Sequence, residues 1–329
     1  MLEYLIMASL LILAYNEENT IEEVIEKYFD HFENIILIDD FSSDSTQEKY
    51  KKYKDNQKFY HNKNKKNLGA GKSFEIGIDI FNKIDSKYLL KIDGDNQFSE
   101  DDILYLAKKG EDENYDFIKC DRFWEGGIKG DIPFIRYLGN ALASFFIKLT
   151  TGNWKINDPL NGLFFISKNV TKNFKVPKLF KRYGYPFFLV SYVITLAKET
   201  NLKIGQYQNT VTYGEEKSQL RANIMFLKLL YFTVTSYIKK IKVKLKFSNL
   251  QFSALIDIFS IGTILISIYS IYRIFKIENL FENAPRGSWY ISTILFLIIS
   301  ILLIVISQKL ENEFESNKLT KIRNHEYQK

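Results

Sequence analysis

Cysteine and histidine are scarce in this 329-residue sequence. Cys120 is the single cysteine, so the chain can form no intrachain disulfide, and its cysteine usage gives no sign of an oxidising compartment. The three histidines, His31, His61 and His325, are scattered without zinc-ligand spacing and without an evident nucleophile as a partner. The sequence therefore supports neither a zinc centre nor a serine or cysteine hydrolase triad.

A cleavable leader is also not indicated. The apolar run at residues 5–14 has Glu3 where a basic leader is expected, and no small-residue cleavage site follows it. We interpret this run as the first buried strand.

Charged residues make up 26% and hydrophobic residues 46% of the chain, which is typical of a globular protein with room for an accessory region. The net charge of +6 is modest, and we expect no nucleic-acid partner.

Strands and helices alternate in the first half of the chain. Thr20 with Glu23 three residues later is typical of a capping box that opens a helix, and a second helix is predicted from Thr46. Buried strands are predicted at residues 5–14, 34–38, 58–61 and 88–92. This alternation predicts βαβ units and a mainly parallel sheet, which is an α/β fold.

Acidic turns follow three of these strands. They occupy residues 16–18 after the first strand, 39–44 after the second and 91–97 after the fourth. Because the carboxyl ends of the strands form the ligand crevice of a doubly wound sheet, this convergence favours a nucleotide site.

The last acidic turn contains a candidate metal site. Asp93, Asp95 and Gln97 are spaced two residues apart, so an extended turn can direct three oxygen atoms at one point. Mg²⁺ and Mn²⁺ prefer such ligands and complete their coordination with water and substrate phosphates. Taken alone, Asp-x-Asp is equally compatible with acidic decoration of a surface turn.

A glycine-rich stretch at residues 67–73 resembles a phosphate-binding loop at first sight. The P-loop pattern fails because Lys66 stands where its first glycine is required, and the dinucleotide pattern fails because Phe74 replaces its third glycine. What remains is a glycine-rich turn before a helix, which can approach phosphate through backbone N–H groups.

Four motifs follow one another in this half: Ala14-Tyr-Asn-Glu-Glu18, Asp39-Asp-x-Ser-x-Asp44, Asn67-x-Gly-x-Gly71 and Asp93-x-Asp-x-Gln97. In this order they resemble family 2 glycosyltransferases of the GT-A fold, over roughly residues 9–220. Two later motifs resemble the branch of that family that includes dolichyl-phosphate mannose synthases and bacterial polyprenyl-phosphate glycosyltransferases. These are Asp158-Pro-Leu-Asn-Gly162 and Tyr213-Gly-Glu-Glu-Lys-Ser218.

The resemblance implies a Rossmann-like, mostly parallel domain that binds a UDP- or GDP-activated sugar. The residues implied to contact this donor are Ala14, Tyr15, Asn16, Glu17, Asp40, Gly69, Asp93 and Gly94. The implied ligands of Mg²⁺ or Mn²⁺ on the diphosphate are Asp93, Asp95 and Gln97. The implied catalytic residues are Asp95 and three basic residues that hold an acceptor phosphate, Arg122, Arg136 and Lys217.

The chain also departs from the family pattern. Leu13 replaces a usual proline, and Phe41 and Asn96 each replace a usual glycine. Phe188 and Val190 stand in a region where the family commonly carries acidic residues. We expect these differences to affect sugar specificity rather than the class of reaction.

An amphipathic helix is predicted at residues 131–150, with Asp131 as its cap and Pro133 in its first turn. One face carries an apolar stripe: Ile135, Leu138, Leu142, Phe145 and Leu149. Another face carries Arg136, Asn140, Ser144 and Lys148. An ordinary core helix and a helix on the membrane surface both fit this pattern. The downstream segments and the resemblance favour the membrane, with Arg136 near a lipid phosphate.

Two apolar segments, residues 255–275 and 289–307, are long enough to span a bilayer. Lysines crowd before the first and follow the second, so the positive-inside rule predicts both termini in the cytoplasm. Asp257 lies near the cytoplasmic end of the first span, where we expect water to reach it. We expect a catalytic domain at 1–221, an interface segment at 222–250, two spans at 251–308 and a cytoplasmic tail at 309–329.

The sequence therefore predicts a cell-membrane enzyme with its catalytic domain in the cytoplasm. It is expected to be an inverting transferase that moves a sugar from the nucleotide-sugar to an undecaprenyl or dolichyl phosphate. The acceptor phosphate is already anionic at neutral pH, so the reaction needs no strong general base. Alternatives are a family 2 transferase acting on a diacylglycerol-type lipid and a catalytically silent nucleotide-sugar binding protein. Assembly into a homo-oligomer stays open.

Overall fold

The computed structural model describes residues 5–124, 127–129, 134–212, 222–246, 250–280, 287–314 and 319–322. Two compact units are present. The first unit contains the chain up to Lys148, then residues 154–230, and the segment from Lys318 onward. The second unit contains residues 149–153 and 231–317.

Strands occupy the following ranges in the described part of the chain: β1 (Ile6–Ala14), β2 (Phe32–Asp39), β3 (Phe59–Lys63), β4 (Tyr88–Asp93), β5 (Phe117–Asp121), β6 (Ile128–Lys129), β7 (Phe164–Ser167), β8 (Ile204–Gln208), β9 (Val211–Thr212) and β10 (Leu319–Ile322). Eight of them form one sheet in the order β10-β8-β5-β7-β4-β1-β2-β3, and β6 pairs with β9. All neighbours in the large sheet are parallel except those of β7, which confirms the predicted mainly parallel α/β fold.

Helices connect these strands and continue beyond them: α1 (Ile21–Phe29), α2 (Thr46–Tyr50), α3 (Ala70–Phe81), α4 (Glu100–Asp112), α5 (Phe134–Thr151), α6 (Lys168–Thr171), α7 (Tyr185–Glu199), α8 (Ala222–Lys244), α9 (Gln251–Leu280) and α10 (Gly287–Phe314). One face of α1 is buried at Ile21, Val24, Ile25 and Tyr28, which recur at helical spacing. Phe32 continues this spacing in the sequence, but it opens β2 and is buried there.

The antiparallel strand β7 was not anticipated by the sequence pattern. It lies between β4 and β5, where Phe164 pairs with both Lys91 and Lys119. Because β7 runs against its neighbours, it begins at the edge where β4 and β5 end. The chain segment before β7, residues 158–162, is therefore brought to the carboxyl edge of the sheet.

Asp102 follows Ser99 by three residues, the spacing of a capping box at the start of α4, but the structure gives Asp102 a different role. Ser99 precedes α4 without a side-chain capping bond. The buried Asp102 carboxylate instead accepts hydrogen bonds from the hydroxyl of Tyr207 and the backbone N–H of Thr210, each at 2.6 Å. It thus fastens α4 to the end of β8, a long-range contact that local spacing cannot reveal.

The second unit contains two helices that are long and apolar enough to cross a membrane, in agreement with the sequence analysis. The candidate spans are Gln251–Lys276, with mean hydropathy 2.0, and Gly287–Glu311, with mean hydropathy 2.7. Hydrogen bonds between hydroxyl groups link the two helices, with oxygen–oxygen distances of 2.6 to 2.9 Å. They join Ser253 to Ser307, Thr263 to Ser300 and Ser270 to Ser292. Such small polar residues allow close packing of helices in lipid.

Asp257 is buried, so the expectation that water reaches it is wrong. Its carboxylate accepts hydrogen bonds from Lys244 at 2.8 Å and from Tyr237 at 2.7 Å. Lys244 also lies 2.9 Å from Glu311, which pairs with Lys240 at 3.0 Å. Two lysines of the basic stretch before the first span thus neutralise buried carboxylates instead of facing solvent.

The chain returns to the first unit after the second span. Leu319–Ile322 adds a parallel strand beside β8, from Leu319 opposite Ile204 to Ile322 opposite Tyr207. Part of the predicted tail is therefore a component of the main sheet.

We predict that Asp102→Ala will destabilise the first unit while Asp101→Ala will not. Removing the buried carboxylate leaves a buried hydroxyl and a buried N–H without their acceptor, at a cost of about 1–3 kcal/mol each. Asp101 is the exposed neighbour on the same helix turn, and its loss should cost less than about 1 kcal/mol. Thermal unfolding of the detergent-solubilised full chain measures both effects. Equal melting temperatures for the two variants would contradict this role of Asp102.

Candidate active site

The ends of β1, β2 and β4 meet at one edge of the sheet. Leu13 is paired with Asp93, and Ala14 with Asp39. Beyond the strands, the N–H of Gly94 donates to the carbonyl of Leu13, and the N–H of Asp40 donates to that of Ala14, both at 2.9 Å. The structure thus brings together the acidic turns that the sequence placed in one crevice.

The turn that follows β1 is fastened to the turn that follows β2. Asn16 has a positive φ of 59°, and its amide oxygen accepts the backbone N–H of Ser43 at 2.9 Å. Its own N–H donates to the hydroxyl of Ser42 at 3.0 Å, and the N–H of Glu17 donates to the Thr46 hydroxyl at 2.8 Å. These bonds hold the backbone of the turn, while the ring of Tyr15 remains 37% exposed.

Thr20 links the first and third acidic turns. Its hydroxyl donates to the carbonyl of Gly94 at 2.7 Å and lies 3.3 Å from a Glu17 carboxylate oxygen. No capping bond from the Thr20 side chain to α1 is formed, so the predicted capping box is absent at this helix. The hydroxyl contributes to the shape of the crevice instead.

Asp40 organises the glycine-rich turn. Its buried carboxylate accepts the N–H groups of Leu68 at 2.8 Å and Gly69 at 2.7 Å, and the side-chain amide of Asn64 at 2.8 Å. These two backbone N–H groups are therefore not available to phosphate, contrary to the expectation from the sequence. Buried N–H groups require acceptors, and here a carboxylate supplies them.

The glycines of this turn allow close packing. Gly69 has φ +89°, and a Cβ at this position would collide with the backbone of Arg182. The N–H of Lys72 donates to the carbonyl of Lys181 at 2.9 Å, which joins the start of α3 to the same segment. The absence of a side chain at Gly69 thus serves the packing of residues 180–182 against the turn.

The Asp93 carboxylate pairs with a buried lysine on its own strand. Lys91 is 1% exposed and donates to Asp93 Oδ1 at 2.6 Å. Burial by itself disfavours the ammonium, but the Asp93 carboxylate outweighs this penalty and raises the pKa of Lys91. The other oxygen, Oδ2, lies against Gly162, where a Cβ would be only 2.5 Å away. A single carboxylate thus connects β4 with the Asp158–Gly162 motif.

The donor set of the third turn fits a hard divalent cation. Asp93 and Asp95 supply carboxylates and Gln97 supplies an amide oxygen, while the N–H of Gln97 donates to Asp95 at 3.2 Å. Within the described ranges, no cluster of three or more His, Cys, Asp or Glu side chains is arranged to hold a metal ion. Substrate phosphates and water would therefore have to complete the coordination, as is usual for Mg²⁺.

The two residues that replace family glycines both have positive φ. Asn96 has φ 55° and is tied to α1, since its side chain contacts Glu23 and Lys27. Phe41 has φ 70° and is exposed. The backbone conformation explains why glycine suits both positions. Of the other departures, the half-buried Phe188 packs its ring against Phe174 and Phe180, and Val190 is fully buried.

Arg122 is held by Asp158. The fully buried carboxylate of Asp158 accepts from Arg122 Nε at 2.8 Å, from Nη2 at 2.9 Å and from the backbone N–H at 3.0 Å. Burial alone would raise the pKa of Asp158, but the guanidinium holds the pKa below its ordinary value. The guanidinium of Arg122 is thus engaged by a carboxylate of the protein, and its expected role at an acceptor phosphate stays a prediction.

A second buried lysine supports the same motif. Lys119 on β5 donates to the carbonyl of Asn161 at 2.7 Å, and burial lowers the pKa of its amine to about 8. The side chain of Asn161 donates to Asn209 at 3.0 Å. The sequence analysis did not predict the buried roles of Lys91 and Lys119. Each is a lysine within a short apolar strand, and that pattern could have indicated a buried, paired lysine.

A cleft of about 350 Å³ lies beside Asp158 along the polar face of α5. Its lining includes Asn140, Ser144, Lys148, Phe123, Tyr137 and Trp154. The amide oxygen of Asn140 is buried and has no hydrogen-bond partner among the described residues, whereas Lys148 donates to the Asn157 side chain at 3.0 Å. The cleft therefore offers a cation and an unused acceptor to a polar ligand.

The apolar stripe predicted for α5 is exposed at four of its five positions: Ile135, Leu138, Leu142 and Phe145. Arg136 lies on this helix, one turn before Asn140. Lys217 and its motif at 213–218, together with Asp131 and Pro133, lie outside the described residues.

A parallel sheet with a carboxylate pair after a central strand and a crevice built by three strand ends defines a Rossmann-like protein of the GT-A type. The family described as glycosyl transferase family 2 matches residues 9–174, half of the chain, and the chain belongs to this family. It is therefore a glycosyltransferase, as its sequence motifs predicted.

Several known proteins are similar to this chain. A UDP-N-acetylglucosamine–dolichyl-phosphate N-acetylglucosaminyltransferase from Methanococcus voltae is 26% identical over 66% of this chain and 90% of its own length. An uncharacterised protein from Methanocaldococcus jannaschii is 32% identical, over 42% of this chain and 60% of its own length. Glucosyl-3-phosphoglycerate synthase from Mycobacterium tuberculosis, solved with UDP, shares the fold at 18% identity, covering 69% of this chain and 80% of its own, with a TM-score of 0.50.

We predict that Asp158→Asn will destabilise the protein strongly, because it breaks a buried, bidentate ion pair and leaves the guanidinium uncompensated. Loss of one partner of such a pair costs about 3–5 kcal/mol. Asp79→Asn is the matched control, since Asp79 pairs with Lys175 on the surface and such pairs contribute about 0–1 kcal/mol. Denaturant unfolding of both variants provides the comparison. An Asp158→Asn variant as stable as the control would show that this pair is not a structural anchor.

Proposed function

We propose that this protein is a membrane-anchored, inverting glycosyltransferase that moves a sugar from a nucleotide-sugar to a polyprenyl phosphate. The observation that carries the proposal is the packing of Gly162 against the Asp93 carboxylate. This contact lies between the Asp158–Gly162 motif, whose resemblance to the polyprenyl-phosphate branch implies a part in the acceptor site, and the carboxylates proposed to hold the donor diphosphate. Two helices of membrane length in the same chain favour an acceptor that resides in the bilayer, with an undecaprenyl or dolichyl chain.

The donor we propose is a UDP-sugar. The relative from Methanococcus voltae, which this chain matches over 90% of that protein's length, is named for a UDP-N-acetylglucosamine donor, which makes this compound the first to test. The turn after β1, with the exposed ring of Tyr15, would receive the nucleoside. Asp40 would act by holding the glycine-rich turn in place, since protein groups already occupy its carboxylate.

A Mg²⁺ or Mn²⁺ ion held by Asp93, Asp95 and Gln97 would offset the negative charge that develops on the departing nucleoside diphosphate. Lys91 Nζ donates to Asp93 Oδ1 at 2.6 Å and holds this carboxylate in place at the end of β4. Asp95 follows Asp93 by two residues on the same turn and supplies the second carboxylate.

The acceptor phosphate would enter through the cleft on α5. Lys148 offers a positive charge and the Ser144 hydroxyl a hydrogen-bond donor to the phosphate oxygens, whereas the Asn140 amide oxygen would accept a hydrogen bond from water around them. The exposed apolar stripe of α5 faces outward and would lie on the membrane surface beside the prenyl chain. Arg136 and Lys217 remain part of the proposal as further contacts to the phosphate. Arg122 would act as a positioning residue through Asp158.

The proposed chemistry is a single displacement. An anionic oxygen of the lipid phosphate attacks the anomeric carbon, and a new carbon–oxygen bond forms while the bond from that carbon to the diphosphate oxygen breaks. The nucleoside diphosphate leaves with the electron pair, and the anomeric configuration inverts. Because the nucleophile is already ionised, the contribution of the protein is positioning and electrostatic stabilisation.

The proposed orientation places the catalytic unit and the C-terminal segment on the cytoplasmic side. Leu319–Ile322 belongs to the same sheet as the catalytic strands, so an even number of spans must separate them. Two spans satisfy this condition. Lys239, Lys242 and Lys246 remain exposed before the first span and support the cytoplasmic assignment.

We predict that Asp95→Asn will abolish transfer without unfolding the protein. The variant loses a metal-binding charge at a half-buried turn and keeps the shape of the side chain, so the rate should fall at least 100-fold while the melting temperature changes little. Asp85→Asn is the control, since Asp85 is exposed at the opposite end of β4. Protein in proteoliposomes, UDP-N-acetylglucosamine and a polyprenyl phosphate, with Mg²⁺, with Mn²⁺ or with a chelator, provide the assay, and labelled lipid is the readout.

Full activity of Asp95→Asn, or activity unaffected by the chelator, would remove the metal assignment. Labelled product on a different lipid class would favour the diacylglycerol-type acceptor. Donor binding without product, across UDP- and GDP-sugars, would favour a silent binding protein.

We predict that Lys148→Met will raise the apparent KM for the lipid phosphate about tenfold or more and leave UDP affinity unchanged. A hydrogen bond to a charged group contributes about 1.5–3 kcal/mol, which corresponds to this range. Lys172→Met removes an exposed lysine after β7 and serves as the control. Steady-state kinetics with varied lipid, and calorimetry with UDP, separate the two sides of the site. An unchanged lipid KM would show that the cleft does not bind the acceptor phosphate.

A further inference from the structure

Phe41 has an unusual backbone conformation. Five non-glycine residues among those described have positive φ, and the other four are Asn16, Asn96, Asn114 and Asp158. Asparagine and aspartate tolerate this region because their short polar side chains bond locally, whereas a bulky aromatic residue does not. Glycine at position 41 would adopt φ 70° without strain.

The flanking bonds impose this conformation. On one side, the Asp40 carboxylate is held by Asn64, Leu68 and Gly69. On the other side, the N–H of Ser42 donates to Asp39 at 2.7 Å. The backbone at position 41 is therefore fixed by its neighbours whatever side chain it carries.

Core packing does not explain the aromatic side chain. Phe41 is 47% exposed, so it gains little from burial within the protein. In the protein without ligand, a strained phenylalanine with an exposed ring therefore adds no stability that glycine at this position would not also provide. Strain of this kind is concentrated at ligand sites, where a bound molecule repays it.

The position of Phe41 identifies the ligand chemistry. The preceding residue, Asp40, is hydrogen-bonded to Ala14 at the ends of β2 and β1, so Phe41 and Tyr15 leave adjacent strands at the same edge of the sheet. Both are exposed aromatic residues. Flat aromatic surfaces at a nucleotide crevice suit stacking on a nucleobase, which is tolerant of base identity because every base has a π face.

We propose that the ring of Phe41 stacks on the nucleobase of the donor. This inference rests on the proposed function, because it assumes that the crevice binds a nucleoside diphosphate. It predicts opposite effects of one substitution. Phe41→Gly relieves the backbone and removes the ring, so the protein becomes more stable and binds the nucleotide more weakly.

The experiment is calorimetric titration of the full chain in detergent with UDP in the presence of Mg²⁺, together with thermal unfolding. Phe41→Gly should weaken UDP binding about tenfold, within the range measured for loss of one stacked aromatic residue, and raise the melting temperature. Phe41→Tyr keeps a ring and should bind UDP within about twofold of the wild type. Inorganic pyrophosphate has no base, so its affinity should be equal in the wild type and Phe41→Gly.

Three outcomes would overturn the inference. UDP affinity equal in Phe41→Gly and the wild type would show that the ring does not contact the base. A lower melting temperature of Phe41→Gly would show that the ring stabilises the fold. If Phe41→Gly weakens the binding of pyrophosphate and of UDP equally, Phe41 maintains the conformation of the turn and does not contact the base. If the wild type binds neither UDP nor GDP, the proposed function fails as well, and the two failures are thus distinguishable.

Discussion

The ion pair between Lys91 and Asp93 is the constraint on which the rest of the site depends. A lysine in the middle of a buried strand must have an anionic partner, and Asp93, two residues later on the same strand, supplies it at 2.6 Å. The negative charge at the end of β4 is thereby fixed in position. The pair also leaves no room for a side chain at residue 162, so the loop after α5 closes directly against Asp93. The ion pair of this buried lysine thus holds the turn after β4 and the Asp158–Gly162 motif side by side.

Several carboxylates of the acidic turns and of the Asp158–Gly162 motif have structural roles. Asp39 accepts from Ser42 and Tyr50, Asp40 accepts from the glycine-rich turn, and Asp158 accepts from Arg122. A crevice built from loops contains many buried N–H groups, and each requires an acceptor. The acidic motifs therefore serve two purposes. Some carboxylates hold the loops together, and those of Asp93 and Asp95 are the ones proposed to bind the metal ion as well.

The alternation of strands and helices, the parallel sheet, the crevice edge and both membrane-length helices could all be predicted from local periodicity. Strand β7 could not, because Phe164–Ser167 is a short apolar run whose antiparallel pairing depends on distant strands. Similarly, Asp102 and Asp257 have partners 105 and 13 residues away along the chain. The spacing around Asp102 therefore suggested a helix cap, and the position of Asp257 near the end of a span suggested a hydrated carboxylate. The pairing of Arg122 with Asp158 was not evident from the sequence because the two residues lie in different motifs. Local pattern identifies elements, whereas partners of buried charges depend on the tertiary fold.

The central claim is that the crevice transfers a sugar to a phosphate group carried by a membrane lipid. The most direct measurement offers the protein, in proteoliposomes with UDP-N-acetylglucosamine and Mg²⁺, either a polyprenyl phosphate or the polyprenol of equal chain length. The account predicts product with the phosphate alone, one sugar heavier than the acceptor, with one equivalent of UDP released and the anomeric configuration inverted. Equal transfer to the alcohol, or a product with retained configuration, would contradict it.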